Sequence, residues 1–383
     1  MYNRKIFGLL LCLVIGIIVF LPQKESWAQD RETVIKDKRP QITHGPYITA
    51  PSRTSVTITW KTDMPAHSKI KYGLNDKLEQ VAEPQNDGFL PVDTLHTIHL
   101  NNLKPGQSYN YQVISTGIKE LKPYWPIKTT SVESPTYSFS TLEPQSSDFS
   151  FSFITDSQHE YVERLNKNLD LVQWEKIDFL AHGGDVLNWV KSEEQIFSKF
   201  VDPVSARLDH QKPLVYARGN HEMRGSYARS FEKYVPTPSG RYYYAFNAGP
   251  VHFIVLDTGE DKADSHEVYS GLNNLKHYRD NEFEWFKEHV EHSEELSEAS
   301  YRVILMHAPK WGWVDGEKEK WTRLANKANI DLVMAGHTHR FAYIKKGERN
   351  NQYQAAHVKA NSKRLQVTVT GKDKRTVDSF TIE

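Results

Sequence analysis

Cysteine is almost absent from this 383-residue chain; Cys12 is the only one. It lies in an uncharged run at residues 6–21, "IFGLLLCLVIGIIVFL", just after Arg4 and Lys5. Disulfides therefore cannot brace the fold, and any metal site must rely on nitrogen and oxygen ligands. Net charge is missing as well, because 48 basic and 48 acidic side chains cancel. That balance excludes a chain-wide electrostatic footprint for nucleic acid or an anionic membrane. There is no internal repeat and no long low-complexity tract. The apolar run precedes Ser26-Trp27-Ala28, which has the small-x-small form of a cleavage site. Residues 1–28 read as a secretory signal peptide rather than a retained anchor. The expected destination is secreted or periplasmic, and the mature chain is expected to have no cysteine and no membrane span.

Aromatics, by contrast, are abundant at 12%, and many fall in strand-like runs. From residue 41 to 143 there are strand signals and no convincing helix. "TSVTITW" alternates Val56, Ile58 and Trp60 with threonines, the period of a half-buried strand. "SKIKYG", "HTIHL", "SYNYQVIST" and "TYSFST" follow, separated by Pro, Gly and Asn clusters. This pattern predicts a β-sandwich. Leu103, the Pro105-Gly106 turn, Tyr109, Tyr111 and Val113 resemble a late-strand corner of fibronectin type III domains. In that corner a buried tyrosine ties its hydroxyl back to the preceding turn.

After a polar linker at 143–148, strands and helices alternate. "FSFITD", "IDFLAHGGD", "PLVYARGNHE", "VHFIVLDT", "YRVILMHAP" and "DLVMAGHTH" read as strands. Val162, Leu165, Leu169 and Val172 recur at helical spacing. Ser192 and Gln195 form a capping box that opens a helix with Ile196, Phe200, Val204 and Leu208 on one face. A further helix is predicted at 281–296, and the C-terminus returns to strand alternation.

Five of the apolar runs end in metal-capable side chains. These are Asp156 with Gln158, Asp185 after Gly183-Gly184, Asn220-His221 after Gly219, His307, and His337 with His339. In α/β sheets ligands gather where strand ends meet loops, so five such endings imply one cleft. Glycine before Asp185, Asn220 and His337 suits tight turns and close backbone approach. Imidazole and oxygen ligands without sulfur suit Fe, Zn or Mn, with Mg admissible. Seven ligands exceed one tetrahedral ion and fit two ions sharing a carboxylate.

The ordered set D-x-Q, GDxxN, GNHE, H and GHTH resembles the calcineurin-like metallophosphoesterase family from residue 149 to the C-terminus. With the upstream sandwich, the architecture is similar to purple acid phosphatases. The resemblance implies an α/β (α+β) fold: a four-layer sandwich of two sheets with flanking helices, behind an all-β fibronectin III-like domain at 41–143. It implies that Asp156, Gln158 and His339 hold one divalent or trivalent ion, that Asn220, His307 and His337 hold a second, and that Asp185 bridges both. His221 would sit over the substrate, stabilising phosphoryl oxygens or protonating the leaving group, with Glu222 orienting it. Two cations would neutralise the ester and activate a shared water for in-line attack.

Two positions depart from the family pattern. Gln158 stands where the family commonly has histidine, which weakens the first ion's site. Asn188 stands where purple acid phosphatases place a tyrosine, so no purple charge-transfer band is expected. His159 is expected on the opposite strand face. His96, His99, His210 and His252 read as ordinary hydrogen-bonded histidines, and His289 with His292 as a solvated helix face. Asp257 and Asp261 read as part of a solvated loop. The segment 259–281, with Tyr269, His277 and Tyr278, is a candidate shaper of substrate choice. The function expected is a phosphatase acting on a small phosphoester, without nucleic acid. The rivals are a diesterase for nucleotides or sugar phosphates, and a surface protein whose sandwich contacts a glycan or another protein.

Overall fold

The computed structural model describes residues 34–36, 38–143, 148–158, 161–339, 355–371 and 373–383. The expected signal peptide with Cys12, most of the linker, and His159 lie outside these residues.

The N-terminal unit is built from antiparallel strands, chiefly Ile42–Thr49, Val56–Leu74, Asp93–Leu100, Ser108–Glu120, Ile127–Glu133 and Tyr137–Ser140. Its core gathers Ile58, Trp60, Tyr111, Val113 and Phe139. Two expected strands, "TSVTITW" and "SKIKYG", prove to be one of 19 residues. Its first half pairs with Asp93–Leu100 and its second with Ser108–Glu120, with a register shift between Lys61 and Ala66. The shift lets one strand change partners without a turn. The threonine face is not solvated as expected. Thr57 and Thr59 are buried, and their hydroxyls meet His99 Nδ1 at 2.8 Å and Thr97 Oγ1 at 3.2 Å. The tyrosine corner is present: Tyr109 is buried and its hydroxyl accepts the Lys104 N–H at 2.8 Å.

The second unit has two facing sheets. In one, Phe149–Ile154, Phe179–His182 and Pro213–Tyr216 run parallel, and the antiparallel strands Ala355–Asn361, Arg364–Thr370 and Thr376–Ile382 extend it. In the other, Tyr244–Ala248 pairs antiparallel with Val251–Leu256, which continues in parallel to Tyr301–Met306 and Leu332–Met334. Strand alternation explains the layering. Phe149, Phe151 and Phe153 point between the sheets with Phe179, Phe246 and Phe253. Ile154 and Leu180 point outward, against Leu165 and Leu169 of helix Tyr161–Leu169 and against Phe197 and Phe200. Helices Leu275–His292 and Lys318–Lys327 cover the other outer face through Phe286 and Trp321. The result is a four-layer sandwich and not a single doubly wound sheet. The helix expected at 281–296 starts earlier, at Leu275, and breaks at Ser293, whose hydroxyl caps the short helix Glu294–Glu298.

The two units share a sheet. Ile42–Thr49 pairs antiparallel with the long strand and parallel with Pro213–Tyr216, Ile48 opposite Pro213. Side chains reinforce the seam. Tyr47 and Tyr111 hydroxyls donate to the carbonyls of Tyr234 and His210, each at 2.7 Å, and His44 lies 3.0 Å from Asp202.

Candidate metal centre

All five expected blocks converge at the C-terminal ends of parallel strands. Asp156 follows the strand ending at Ile154, Asp185 that at His182, Asn220 that at Tyr216, His307 that at Met306, and His337 and His339 that at Met334. The chain bends hard where it leaves three of these strands. Asp156, Asp185, His337 and His339 all have φ between 50° and 68°, a left-handed conformation costly for residues with a Cβ. Two glycines make room for the bends. A Cβ on Gly219 would lie 2.2 Å from Asp185 N, and one on Gly336 would lie 2.3 Å from Asp156 Oδ2.

Among the described residues, two groups can each hold a cation with ligand atoms within 4.8 Å of one another. One is Asp185, His307 and His337; the other is Asp156, Asp185 and His339. Asp185 belongs to both. His339 Nε2 lies 3.3 Å from Asp156 Oδ1. The His337 N–H donates to both Asp156 oxygens, at 3.0 and 2.9 Å, while its Nδ1 lies 3.1 Å from Asn220 Oδ1. Gln158 also reaches the cluster: its Nε2 is 3.1 Å from both Asp185 Oδ2 and His339 Nε2. The amide therefore turns its NH2, not its oxygen, toward the site.

Among the described residues, two buried atoms here have no hydrogen-bond partner: Gln158 Oε1 and His307 Nε2. His307 Nε2 is only 3.2 Å from Asp185 Oδ2, close enough for charge attraction but off the direction of a hydrogen bond. Its other nitrogen donates to the Gly183 carbonyl at 2.7 Å, leaving Nε2 aimed at the carboxylate. An orphaned imidazole nitrogen beside a carboxylate held by two ligand groups is what a cation site requires, so these residues fit two ions.

Burial raises the Asp185 carboxyl, but the His307 charge outweighs it and brings it down to about 2. Burial lowers His307, but Asp185 outweighs that and brings it up to about 9. Asp156 is lowered in spite of burial, chiefly by the hydrogen bond from His339. Burial lowers His337.

Glu222 does something other than expected. It accepts the N–H groups of Gly219, Asp185, Val186 and Leu187, at 2.8 to 3.3 Å, and so clamps the turn that carries Asp185. His221 is oriented by other groups. Its Nδ1 is 3.1 Å from the Asn188 carbonyl, and Arg224 Nη1 is 3.2 Å from its Nε2. A carbonyl only accepts and a guanidinium only donates, so these partners suit Nδ1 as the donor and Nε2 as the acceptor. His221 N–H also donates to Asp185 Oδ1 at 3.0 Å, and its Nε2 is 3.8 Å from Asp185 Oδ2. Arg224 was not anticipated. It is held bidentate by buried Glu260, at 2.7 and 2.6 Å. Its place three residues after His221 was the available signal.

Other expectations need revision. Asp257 is buried and pairs with Arg218, so it belongs to no solvated loop; Asp261 is partly exposed beside Arg224 and Lys262. Asp257 N–H donates to Glu282 on the neighbouring helix, and Tyr278 lies over the Arg218 guanidinium. Tyr278, within the segment 259–281, is thus half-buried against Arg218. His289 meets His252 Nε2 to Nε2 at 2.8 Å, so only His292 is the solvated residue expected. His96, His210 and His252 have the hydrogen-bond partners expected of them, at 2.8, 2.6 and 2.8 Å.

Comparison with known proteins accords with this geometry. Residues 44–141 match the family described as Purple acid Phosphatase, N-terminal domain. Mouse acid phosphatase type 7 is 24% identical over 287 residues, 71% of this chain and 59% of that protein. The chain thus spans about three-fifths of that relative's length. Probable purple acid phosphatase 20 of Arabidopsis thaliana is 29% identical over 38% of this chain and 34% of its own. Purple acid phosphatase PPD1 from yellow lupin has the same fold, with a TM-score of 0.60 at 16% identity over 90% of this chain and 74% of that one. The structure of PhoD gives 0.57 at 12% identity over 90% and 94%. Residues 149–341, half the chain, match Calcineurin-like phosphoesterase, and the chain belongs to that family.

Proposed function

We propose that this chain is an exported, two-ion phosphatase that hydrolyses small phosphate esters. The observation that carries the reading is Asp185, one buried carboxylate common to two groups of metal-competent side chains. Bound there, two cations would neutralise the anionic ester and acidify a water for in-line attack. Asp156 and His339 would hold one, joined by Gln158 once its amide turns its oxygen inward. Asn220, His307 and His337 would hold the other, with Asp185 common to both. Fe, Zn or Mn suits this donor set, with Mg admissible.

His221 and Arg224 supply the chain's own contact with the phosphoryl group. The Arg224 N–H now rests on His221 Nε2. An arriving phosphoryl oxygen is a better acceptor for a guanidinium than a neutral imidazole is. Transfer of that N–H to the ester would free His221 Nε2 to bind a proton from solvent and deliver it to the leaving oxygen as the bond from phosphorus to that oxygen breaks. Glu222 keeps the Asp185 turn fixed meanwhile, so positioning costs little at the moment of reaction. Export rests on residues 1–28; among the described residues no helix is long and apolar enough to cross a membrane.

The test is metal analysis of the purified protein alongside turnover of a chromogenic phosphate ester. Asp185→Ala and His307→Ala should each lose bound metal and lower turnover at least about a hundredfold, while far-ultraviolet circular dichroism is retained. A wild-type protein that binds no metal and hydrolyses no phosphate ester overturns the reading.

A further inference from the structure

The two loops that carry Asp185 and His221 run on together past the metal centre. Val190 N–H donates to the Arg224 carbonyl at 2.8 Å, and Tyr227 N–H donates to the Val190 carbonyl at 2.9 Å. The Ser226 hydroxyl donates to the Lys191 carbonyl at 3.3 Å. Between them lies an open hollow of ≈ 420 Å³ lined by Trp189, Lys191, Gly225 and Ser226.

The position of this hollow is tied to His221 from both sides. Trp189 follows Asn188, whose carbonyl meets His221 Nδ1. Gly225 follows Arg224, whose guanidinium meets His221 Nε2. Leu187 and Val190 are fully buried, yet Trp189 is 49% exposed. Lys191 Nζ lies 5.2 Å from its ring centroid, and among the described residues no carboxylate lines the hollow. Gly225 adds no side chain to the lining. It has φ 108°, and a Cβ there would come within 2.3 Å of the Val190 carbonyl. An exposed indole beside a cation, next to the group proposed to serve the leaving oxygen, has one natural use. It can receive the part of the substrate that leaves.

We propose that this hollow is the subsite for the alcohol portion of the ester, and that it takes a flat aromatic ring, aryl or nucleoside, stacked on Trp189. Lys191 then faces any further negative charge on that ring's substituents. The inference rests on the phosphatase reading and adds a substrate class to it. Ring-on-indole stacking is worth about tenfold in affinity; a small alkyl alcohol gains none of it.

The test uses full-length, metal-loaded protein and two non-hydrolysable probes, methylphosphonate and phenylphosphonate, measured by calorimetry. Phenylphosphonate should bind about tenfold tighter to the wild type. Trp189→Ala should cut that ratio below about twofold, and Trp189→Phe should keep most of it, because a phenyl ring still stacks. Trp125→Ala, an exposed tryptophan of the N-terminal unit, should leave the ratio as in wild type. Turnover of phenyl phosphate and AMP against glycerol phosphate identifies the ring: a preference shared by AMP marks nucleotides, and one confined to phenyl phosphate marks aryl esters. Equal wild-type affinities for the two phosphonates, or a preference that survives Trp189→Ala, overturns the subsite. A calorimetric preference without turnover of any ester would sink the phosphatase reading and leave the subsite standing.

Discussion

Asp185 and Glu222 divide the work of one turn between chemistry and support. Asp185 faces the other metal-competent side chains, and Glu222 accepts four N–H groups behind it. Glu222→Ala leaves those donors without a partner in a buried place, at a cost of about 3 kcal/mol or more. The denaturant midpoint should therefore fall along with metal content. Were Glu222 merely an orienter of His221, turnover would fall while stability held. Gln158 makes the opposite kind of test. An imidazole binds these ions more firmly than an amide, so Gln158→His should raise affinity for one of the two ions about tenfold or more, read by metal titration. Unchanged binding would remove Gln158 from the ligand set. Asn188 offers a backbone carbonyl to His221 and has no phenol, so iron-loaded wild type should lack the visible phenolate band; its appearance would contradict the assignment.

The elements most legible in the sequence were the strands that carry the candidate ligands. An apolar run followed by a polar, glycine-marked ending is both a local pattern and the architecture of the cleft, so Asp156, Asp185, Asn220, His307, His337 and His339 were all found together as expected. The bends themselves also show in the sequence, as glycine. Gly336→Ala should push its Cβ into Thr155 and Asp156 and abolish binding of at least one ion without unfolding the sheets, as metal analysis with circular dichroism would show. What could not be read depends on partners distant in sequence. Nothing local says that Val56–Leu74 changes neighbours midway through an intact strand, or that Ile42–Thr49 seats against Pro213–Tyr216. Asp257 looked like loop chemistry because its partner, Arg218, is 39 residues away. Glu222 was misassigned because backbone N–H groups, its true partners, leave no side-chain signature.

At the scale of the molecule, one sheet running through both units implies coupled stability. Separating them would break the Ile48–Pro213 pairing and expose the buried Tyr47, so calorimetry should show one main transition; two well-separated ones would contradict a shared sheet. Acid should weaken the fold through its buried histidines. Burial lowers His96 to about 4 and His252 to about 3. Between those values and the unfolded value near about 6.5, the unfolded chain binds the extra protons. The contribution of these two histidines is therefore complete above that window and falls as pH drops through it, by at most about 1.4 kcal/mol per histidine per pH unit. A denaturant midpoint flat across the window would contradict this. The most direct test of the two-ion centre is anomalous diffraction from crystals of the metal-loaded protein. Two peaks about 3.5–4 Å apart should flank the Asp185 carboxylate, one beside Asp156 and His339 and the other beside His307 and His337. A single peak, or peaks away from Asp185, would contradict it.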